Sequence, residues 1–281
     1  MKRAAVIVNV IVFVLGGTRE SAAQSLRFHS RRDASVHLVA RDSVRNANGS
    51  VRIADSARWA FLTARIAPLA DSLAKDERLG IDPGFLFALL VKESAGDSLA
   101  VSTAPALGLA QLTARTDADL RLMVTEWHFE WMAPEVNGWP RSPLVHDGSP
   151  GASRIDSLLR AGVLTARTEY LFDPATATRA AAFWVRLLEN KWSTDFWPGG
   201  YGPFVRHQLN GGRALSESQL IDLVTVSYNR GYMRVHDLVA KYGAGWKGHL
   251  DELGADGAEA RDYLERVRAY TALFEGLPAP R

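Results

Sequence analysis

The chain has no cysteine and almost no net charge. Its 281 residues include 33 Lys and Arg against 31 Asp and Glu, which leaves a formal net charge of +2. Without cysteine the protein can form neither disulfides nor thiolate metal sites, and we expect no lipoprotein anchor, because that acylation needs a cysteine. The near-balance of charge gives no indication of a nucleic-acid partner, which would call for a basic surface.

Motifs of several enzyme classes are also missing. The seven histidines show no His-Glu-x-x-His or other ligand spacing, so we expect no metal site. The pairs Gly199-Gly200 and Gly211-Gly212 do not stand between a strand and a helix, as a phosphate-binding loop requires. Gly-x-Ser-x-Gly is absent, so there is no signal of a nucleophile elbow. We therefore expect no cofactor.

Residues 1–23 have the pattern of a secretory signal peptide. Met1-Lys2-Arg3 is positive, residues 4–15 are apolar apart from Asn9, and Ser21-Ala22-Ala23 places small residues before a cut. The apolar run is shorter than the roughly 20 residues of a spanning helix, although an uncleaved anchor is the alternative. We expect an exported protein, periplasmic or secreted, with no stable membrane span after cleavage.

The rest of the chain divides into a polar segment and a helical one. Residues 24–54 are polar and predict a flexible lead. In residues 55–281 apolar side chains recur at helical spacing, strand patterns are nearly absent and no repeat is found. Residues 121–170 and 193–215 are expected to be insertions; they contain irregular stretches, rich in Trp, Pro and Gly at 126–153 and in Gly and aromatic residues at 193–213. The predicted fold class is mainly α, in one helical domain with these insertions.

Helix starts can be placed at several positions. Asp173-Pro174 predicts one, because aspartate caps free amides and proline fits the first helical position. Another helix is expected from Ser216 to about Tyr228, and a last one from about Ala258 to Phe274.

A further helix start at Asp82-Pro83 leads to the first candidate for chemistry. The run from Phe85 to Val91 is apolar almost all round, so this helix should be buried, and it ends with Glu93. Burial disfavours a charged carboxylate, so the pKa of Glu93 should be raised, which suits a general acid near neutral pH. Lys92 is expected to be solvated. Taken alone, a glutamate at a helix end is more often an exposed or paired charge.

Three segments together carry a recognisable pattern. The first is Glu93-Ser94, followed by Ser102 and by Gly108-Leu109-Ala110-Gln111. The second is the run Val226-Ser227-Tyr228-Asn229-Arg230-Gly231. The third is a helix with Glu259, Arg261, Tyr263, Leu264, Val267 and Tyr270. In this order they resemble the catalytic domain of soluble lytic transglycosylases, a family that shares its helical lysozyme-like fold with goose-type lysozymes.

The resemblance implies a function and a set of site residues. The substrate would be the glycan strand of peptidoglycan, cut without water between N-acetylmuramic acid and N-acetylglucosamine to leave 1,6-anhydro ends. Glu93 would be the catalytic acid. The remaining matched positions would bind or support the sugar: Ser94, Ser102, Gly108, Gln111, Tyr228 and Asn229. We expect a monomer whose partner is the glycan strand.

The chain departs from the family pattern at four positions. Ala110 and Thr113 stand where the family has methionines, and Pro105 stands where it has a glycine before the turn. Arg230 replaces a small residue after Asn229. Because these positions line or support the sugar groove in the family, the changes should alter sugar packing rather than the acid.

Aromatic side chains in and next to the insertions are a separate feature. Because aromatic faces stack on sugar rings, they could extend a glycan groove, but packing within irregular loops is the more frequent use. They are Trp127, Trp131, Trp139, Trp192, Trp197 and Tyr201.

Two other functions remain open at this point. A goose-type lysozyme-like hydrolase would need another carboxylate to hold water opposite Glu93, and Asp97, Asp117 and Asp119 are the candidates by sequence. A catalytically silent glycan-binding protein is the non-enzymatic alternative, suggested by the substitutions at the family's methionine positions.

Overall fold

The computed structural model describes residues 43–45, 51–53, 56–102, 104–126, 129–139, 156–162, 168–193, 200–254 and 257–275. Two short strands come first, β1 (Ser43–Arg45) and β2 (Val51–Ile53). The labelled α-helices in these residues are α1 (Ser56–Ala74), α2 (Pro83–Ser94), α3 (Ala114–Glu126), α4 (Ala133–Gly138), α5 (Pro174–Ser193), α6 (Gly202–Asn210), α7 (Glu217–Arg230), α8 (Tyr232–Tyr242) and α9 (Gly257–Glu275). Two 3₁₀ segments, Glu169–Phe172 and Gly243–Leu253, and a short helical segment at 156–160 complete them. The prediction of a mainly α-helical fold is confirmed.

Two short strands lie within the segment predicted to be a flexible lead. β1 and β2 pair antiparallel, with Val44 opposite Arg52, and β2 contacts α9. The sequence between the strands contains Asn48-Gly49, a dipeptide that favours hairpin turns, which the composition-based reading of this segment overlooked. The predicted signal peptide and the rest of residues 24–54 lie outside the described residues.

Helix α2 is the element that positions the first motif, and it forms as predicted. The Asp82 carboxylate accepts a hydrogen bond from the Phe85 amide at 2.6 Å, and Pro83 lies in the first turn. α2 packs against α1 and α9, and most of its residues are buried. It ends where Ala95 takes the left-handed conformation and donates its amide to the Val91 carbonyl at 2.9 Å. A buried helix thus delivers Glu93 at its last turn.

The apolar core joins helices from both halves of the chain. α1, α2, α5, α7 and α9 contribute fully buried side chains to one continuous cluster. Representative members are Leu62, Ile66, Leu86, Leu89, Phe183, Val226 and Val267. Since burial of such side chains contributes roughly 1.5–3 kcal/mol each before the entropy of ordering them is subtracted, this cluster fixes how the motif-bearing helices meet.

The aromatic residues of the predicted insertions mostly pack into this core. Trp192 is fully buried, and Trp139 stacks on Phe183 with ring centroids 5.8 Å apart. Trp131 meets the Phe183 ring edge-on at 5.8 Å. Trp127 and Trp197 lie outside the described residues. For the buried tryptophans, packing is therefore the role that the structure supports.

Helices also occupy parts of both predicted insertions. Residues 121–170 include the end of α3 and all of α4, and residues 193–215 include α6. α6 has Pro203 in its first turn and Gly211 in the left-handed conformation at its end, two helix signals that we did not weigh in a segment of irregular composition. Within the described residues, no helix combines the length and apolarity that a membrane crossing requires.

Candidate active site

At the end of α2, Glu93 contacts helix α9. The Tyr263 hydroxyl donates a hydrogen bond to Glu93 Oε1 at 2.5 Å, and Tyr263 itself is buried. Burial raises the pKa of Glu93 to about 7, against the hydrogen bond from Tyr263 and the charge of Lys92, which lower it. The Glu259 charge adds to the rise. As a residue Glu93 stays partly exposed, and its carboxyl group holds its proton near neutral pH.

Lys92 was expected to be solvated, and this expectation is wrong. Only 10% of it is exposed, and its Nζ lies 5.3 Å from the centre of the Tyr263 ring and 3.7 Å from the Asp262 carboxylate. The long apolar stem packs while the ammonium finds a ring and an anion. Lys92 is therefore part of the electrostatic surroundings of Glu93.

Tyr228 joins the second motif to the first. Its hydroxyl donates to the Ala110 carbonyl at 2.8 Å, which ties the end of α7 to the turn at residues 108–111. Burial raises the pKa of Tyr228, and the nearby charge of Glu93 adds to this rise. Tyr228 and Glu93, which the sequence places far apart along the chain, are thus neighbours.

The turn that contains Gly108 and Gln111 has a tightly defined backbone. Gly108 has a φ of +69°, and a Cβ there would overlap the Leu171 carbonyl of the 3₁₀ segment Glu169–Phe172, so only glycine fits. Gln111 also lies in the left-handed region, at φ +49°, and its Nε2 donates to the carbonyls of Gly108 at 2.8 Å and Ala100 at 3.2 Å. Both residues shape the wall beside Tyr228.

The two predicted serines both bond to backbone groups. Ser94 is buried; its hydroxyl donates to the Leu90 carbonyl at 3.1 Å and accepts from the Gly96 amide at 3.2 Å. Ser102 is partly exposed, and its hydroxyl accepts from the Ala106 amide at 3.0 Å. Ser94 thus fixes the chain leaving α2, and Ser102 fixes the loop that leads to Gly108.

Asn229 and Arg230 follow Tyr228 at the end of α7. Asn229 Oδ1 is buried and has no hydrogen-bond partner in the described part of the protein. The Arg230 guanidinium donates to Glu259 at the start of α9, with Nη2 and Oε2 2.9 Å apart. The site rim therefore carries one unsatisfied acceptor and one ion pair.

The carboxylates considered for a hydrolase have surroundings of their own, and none of them is among the groups that shift the pKa of Glu93. Asp117 is buried and accepts hydrogen bonds from the Tyr170 hydroxyl and from Arg121. Asp97 accepts from the Leu99 amide at 2.9 Å. Asp119 is partly buried, which raises its pKa, and it lies near Arg115 and Lys191. The charges that shift the pKa of Glu93 come from Lys92 and Glu259 instead.

Sequence reasoning missed the partners that α9 supplies. Tyr263 and Glu259 were recognised only as positions of a helix that resembles the family, yet one bonds Glu93 and the other shifts its pKa. Their spacing of four residues places both on one helix face, which was the available signal. Over the described residues, no three His, Asp or Glu side chains are grouped so that they could hold a metal ion.

Comparison with known proteins identifies one family. Residues 72–138 match the transglycosylase SLT domain, which confirms the recognition made from the motifs and the lysozyme-like helical class. The match spans Glu93 and the turn up to Gln111, but not the segments with Tyr228 and Tyr263. No curated protein matches the chain at a significant level.

Proposed function

We propose, on the premise of the transglycosylase SLT domain at residues 72–138, that the protein is a peptidoglycan lytic transglycosylase. It would cut the β-1,4 bond between N-acetylmuramic acid and N-acetylglucosamine and leave a 1,6-anhydro end. The observation that carries the proposal is the Glu93 carboxyl group, whose pKa is raised to about 7 and which bonds Tyr263, in a residue that is partly exposed. An acid with this pKa can hold and release a proton near neutral pH.

The reaction needs one carboxyl group acting twice. Protonated Glu93 gives its proton to the glycosidic oxygen, the bond from C1 to that oxygen breaks, and the muramic ring gains oxocarbenium character. The N-acetyl group of that sugar stabilises the positive charge. The Glu93 carboxylate then takes the proton of the C6 hydroxyl, and O6 bonds to C1. Atoms balance without water, and the acid is restored.

The surroundings of Glu93 suit both steps. Burial favours the protonated form that starts the reaction, while the Tyr263 hydroxyl and the Lys92 ammonium stabilise the carboxylate formed when the bond breaks. Since the opposing effects bring the pKa to about 7, neither form is strongly disfavoured at neutral pH. The same residue can therefore donate and then accept.

The other predicted residues fall into two groups: those that hold the shape of the site and those that are candidates for contact with the sugar. Gly108, Gln111 and Tyr228 hold the wall of the site through the backbone contacts described above, and Ser94 holds the loop after α2. Ser102 is partly exposed and stays a candidate for sugar contact. Asn229 stays a candidate for substrate binding on the family resemblance; its Oδ1 is buried without a donor, so contact with a sugar would require the side chain to turn outward.

We extend the proposal to the cellular setting. A protein that acts on peptidoglycan works outside the cytoplasm, which agrees with residues 1–23 as a secretory signal and with export to the periplasm or medium. Residues 55–281 would form the catalytic domain, with insertions at 121–170 and 193–215, and act as a monomer on glycan strands.

Analysis of the released products tests the proposal. Peptidoglycan is digested with the wild type, and the fragments are separated and weighed. Anhydro ends are expected; fragments that carry one added water, with no anhydro form, would point to the lysozyme-like hydrolase and refute the transglycosylase.

A variant of the acid separates an enzyme from a silent binding protein. Glu93→Gln keeps the size of the side chain but has no proton to give, so clearing of a wall suspension should stop. Glu77→Gln makes the same chemical change at an exposed position and is the control. Equal clearing by wild type and Glu93→Gln would refute Glu93 as the acid.

A further inference from the structure

The rim of the site carries an ion pair with unequal exposure. Arg230 is the last residue of α7 and Glu259 lies in the first turn of α9, with Nη2 and Oε2 2.9 Å apart. The Arg230 side chain is 12% exposed and that of Glu259 is 52% exposed. The arginine is therefore fixed by its surroundings, whereas the glutamate is free to move in water unless the arginine holds it.

This pair is electrically connected to the acid. Glu259 and Tyr263 are four residues apart on one face of α9, and the Tyr263 hydroxyl bonds Glu93. The Glu259 carboxylate raises the pKa of both Glu93 and Tyr263. The position of Glu259 thus matters to the acid, and Arg230 is the residue that fixes it.

We propose that Arg230 is a positioning residue of the acid centre, which anchors the Glu259 carboxylate at the rim of the site and limits its influence on Glu93. The inference rests on the proposed role of Glu93 as the acid. Arg230 does not touch the reacting atoms in this account; it acts through Glu259. A guanidinium suits the task because its rigid donors hold a carboxylate in one geometry better than an ammonium does.

The groups around Glu93 allow the effect to be isolated. Lys92 on the same helix lowers its pKa, Tyr263 on α9 lowers it through the hydrogen bond, and Glu259 raises it. Tyr228 on α7 lies near it, and its phenol stays neutral because burial raises the pKa of Tyr228. Among these groups, Arg230 forms its ion pair with Glu259.

A change at Arg230 should therefore move the pH profile. Arg230→Met keeps the apolar stem but cannot pair with Glu259, so the charge of that carboxylate is no longer balanced by the guanidinium and delays the loss of the proton from Glu93. We expect the alkaline limb of kcat/KM on soluble glycan fragments to move to higher pH. Arg230→Lys keeps a charge that can pair with Glu259, and its limb should stay near that of the wild type.

The double variant decides whether the effect passes through Glu259. Glu259→Gln alone should move the limb to lower pH, because a charge that raises the pKa of Glu93 is gone. In that background Arg230→Met should cause no further movement. An unchanged limb in Arg230→Met, or an equal movement with and without Glu259, would overturn the proposal.

Controls distinguish this result from misfolding of a variant and from failure of the proposed catalytic role of Glu93. Arg261→Met removes another arginine pair on α9, the one with Asp251 at 3.3 Å, and should leave the limb in place. Thermal melting confirms that each variant folds; if Arg230→Met does not, Arg230→Ala carries the same prediction, and Glu259→Gln still tests the influence of Glu259 by its opposite movement. Retained activity of Glu93→Gln would instead refute the proposed acid, which is a separate measurement.

Discussion

The Tyr263 hydroxyl donates to Glu93 Oε1 at 2.5 Å, across 170 positions of sequence. A donor at this place stabilises the charged carboxylate, while burial of the same group stabilises the protonated one. The balance between these two effects sets the pH at which Glu93 loses its proton.

Removal of that hydroxyl should make Glu93 a weaker acid. In Tyr263→Phe the hydrogen bond that lowers the pKa is lost and burial remains, so the pKa of Glu93 rises above about 7. A hydrogen bond to a charged group contributes about 1.5 kcal/mol or more, which corresponds to about one pH unit. The alkaline limb of kcat/KM should move upward by that amount. Tyr242→Phe, on an exposed tyrosine hydroxyl that bonds Glu252, is the control, and a limb that stays or moves down would contradict the prediction.

Glu93 should cost the protein stability at neutral and alkaline pH. An unfolded glutamate loses its proton near 4.5, whereas folded Glu93 loses it near 7, so the folded state binds more protons between these values. Stability therefore falls as the pH rises through this window. Glu93→Gln has no such loss, and at about 1.4 kcal/mol per pH unit its advantage over the wild type should reach about 3 kcal/mol above pH 7.

Unfolding by urea at pH 4 and pH 8, followed by tryptophan fluorescence, measures this difference. Glu77→Gln should show no comparable dependence, because that side chain is exposed. An equal difference between Glu93→Gln and wild type at both pH values would show that burial of the acid carries no stability cost.

Alanine should destabilise the protein far more at Gly108 than at Gly211, another glycine with a positive φ. Gly108→Ala adds a Cβ that overlaps the Leu171 carbonyl and also strains a φ of +69°, so we expect a loss of about 3 kcal/mol or more. At Gly211, with φ +59° and open space around the added Cβ, only the backbone strain of about 1 kcal/mol applies. Equal losses in urea unfolding would mean that the contact with Leu171 is easily relieved.

Asp222 should be a strong anchor between α7, α9 and the segment Gly243–Leu253. It is buried and accepts from Lys247 Nζ at 2.7 Å and Arg268 Nε at 2.9 Å. Asp222→Asn breaks these pairs and should cost about 3 kcal/mol of the free energy of unfolding. Asp251→Asn breaks the exposed pair with Arg261 and should change it by less than about 1 kcal/mol. If the two variants lose the same amount, burial of Asp222 adds nothing to its pairs.

Helix starts were predictable because their signals are local. Asp82 and Pro83 predicted α2, and Asp173-Pro174 predicted α5, since a cap and a fixed proline φ act within a few residues. Ser216 begins α7 with a full capping box in which Gln219 returns the bond. The strands β1 and β2 and helix α6 were missed, because composition over a window hid short signals inside polar or glycine-rich stretches.

The roles of individual site residues were harder to predict. The order of the motifs indicated that Glu93, Gln111 and Tyr228 belong together, but it did not show that Gln111 bonds backbone carbonyls or that Ser94 is buried. A side chain bonds a sugar or its own backbone according to which way a turn faces, and a pattern of residue types does not record that direction.

The sequence by itself determined the helical class, the buried helix whose last turn holds Glu93 and the resemblance to the transglycosylase SLT domain around it. These depend on periodicity, caps and residue order, which are written along the chain. Only the tertiary structure decided that Tyr263 donates to Glu93 and that Arg230 holds Glu259. Such pairs depend on how α2, α7 and α9 pack against one another, and packing is set by the shapes of many side chains in the core at once.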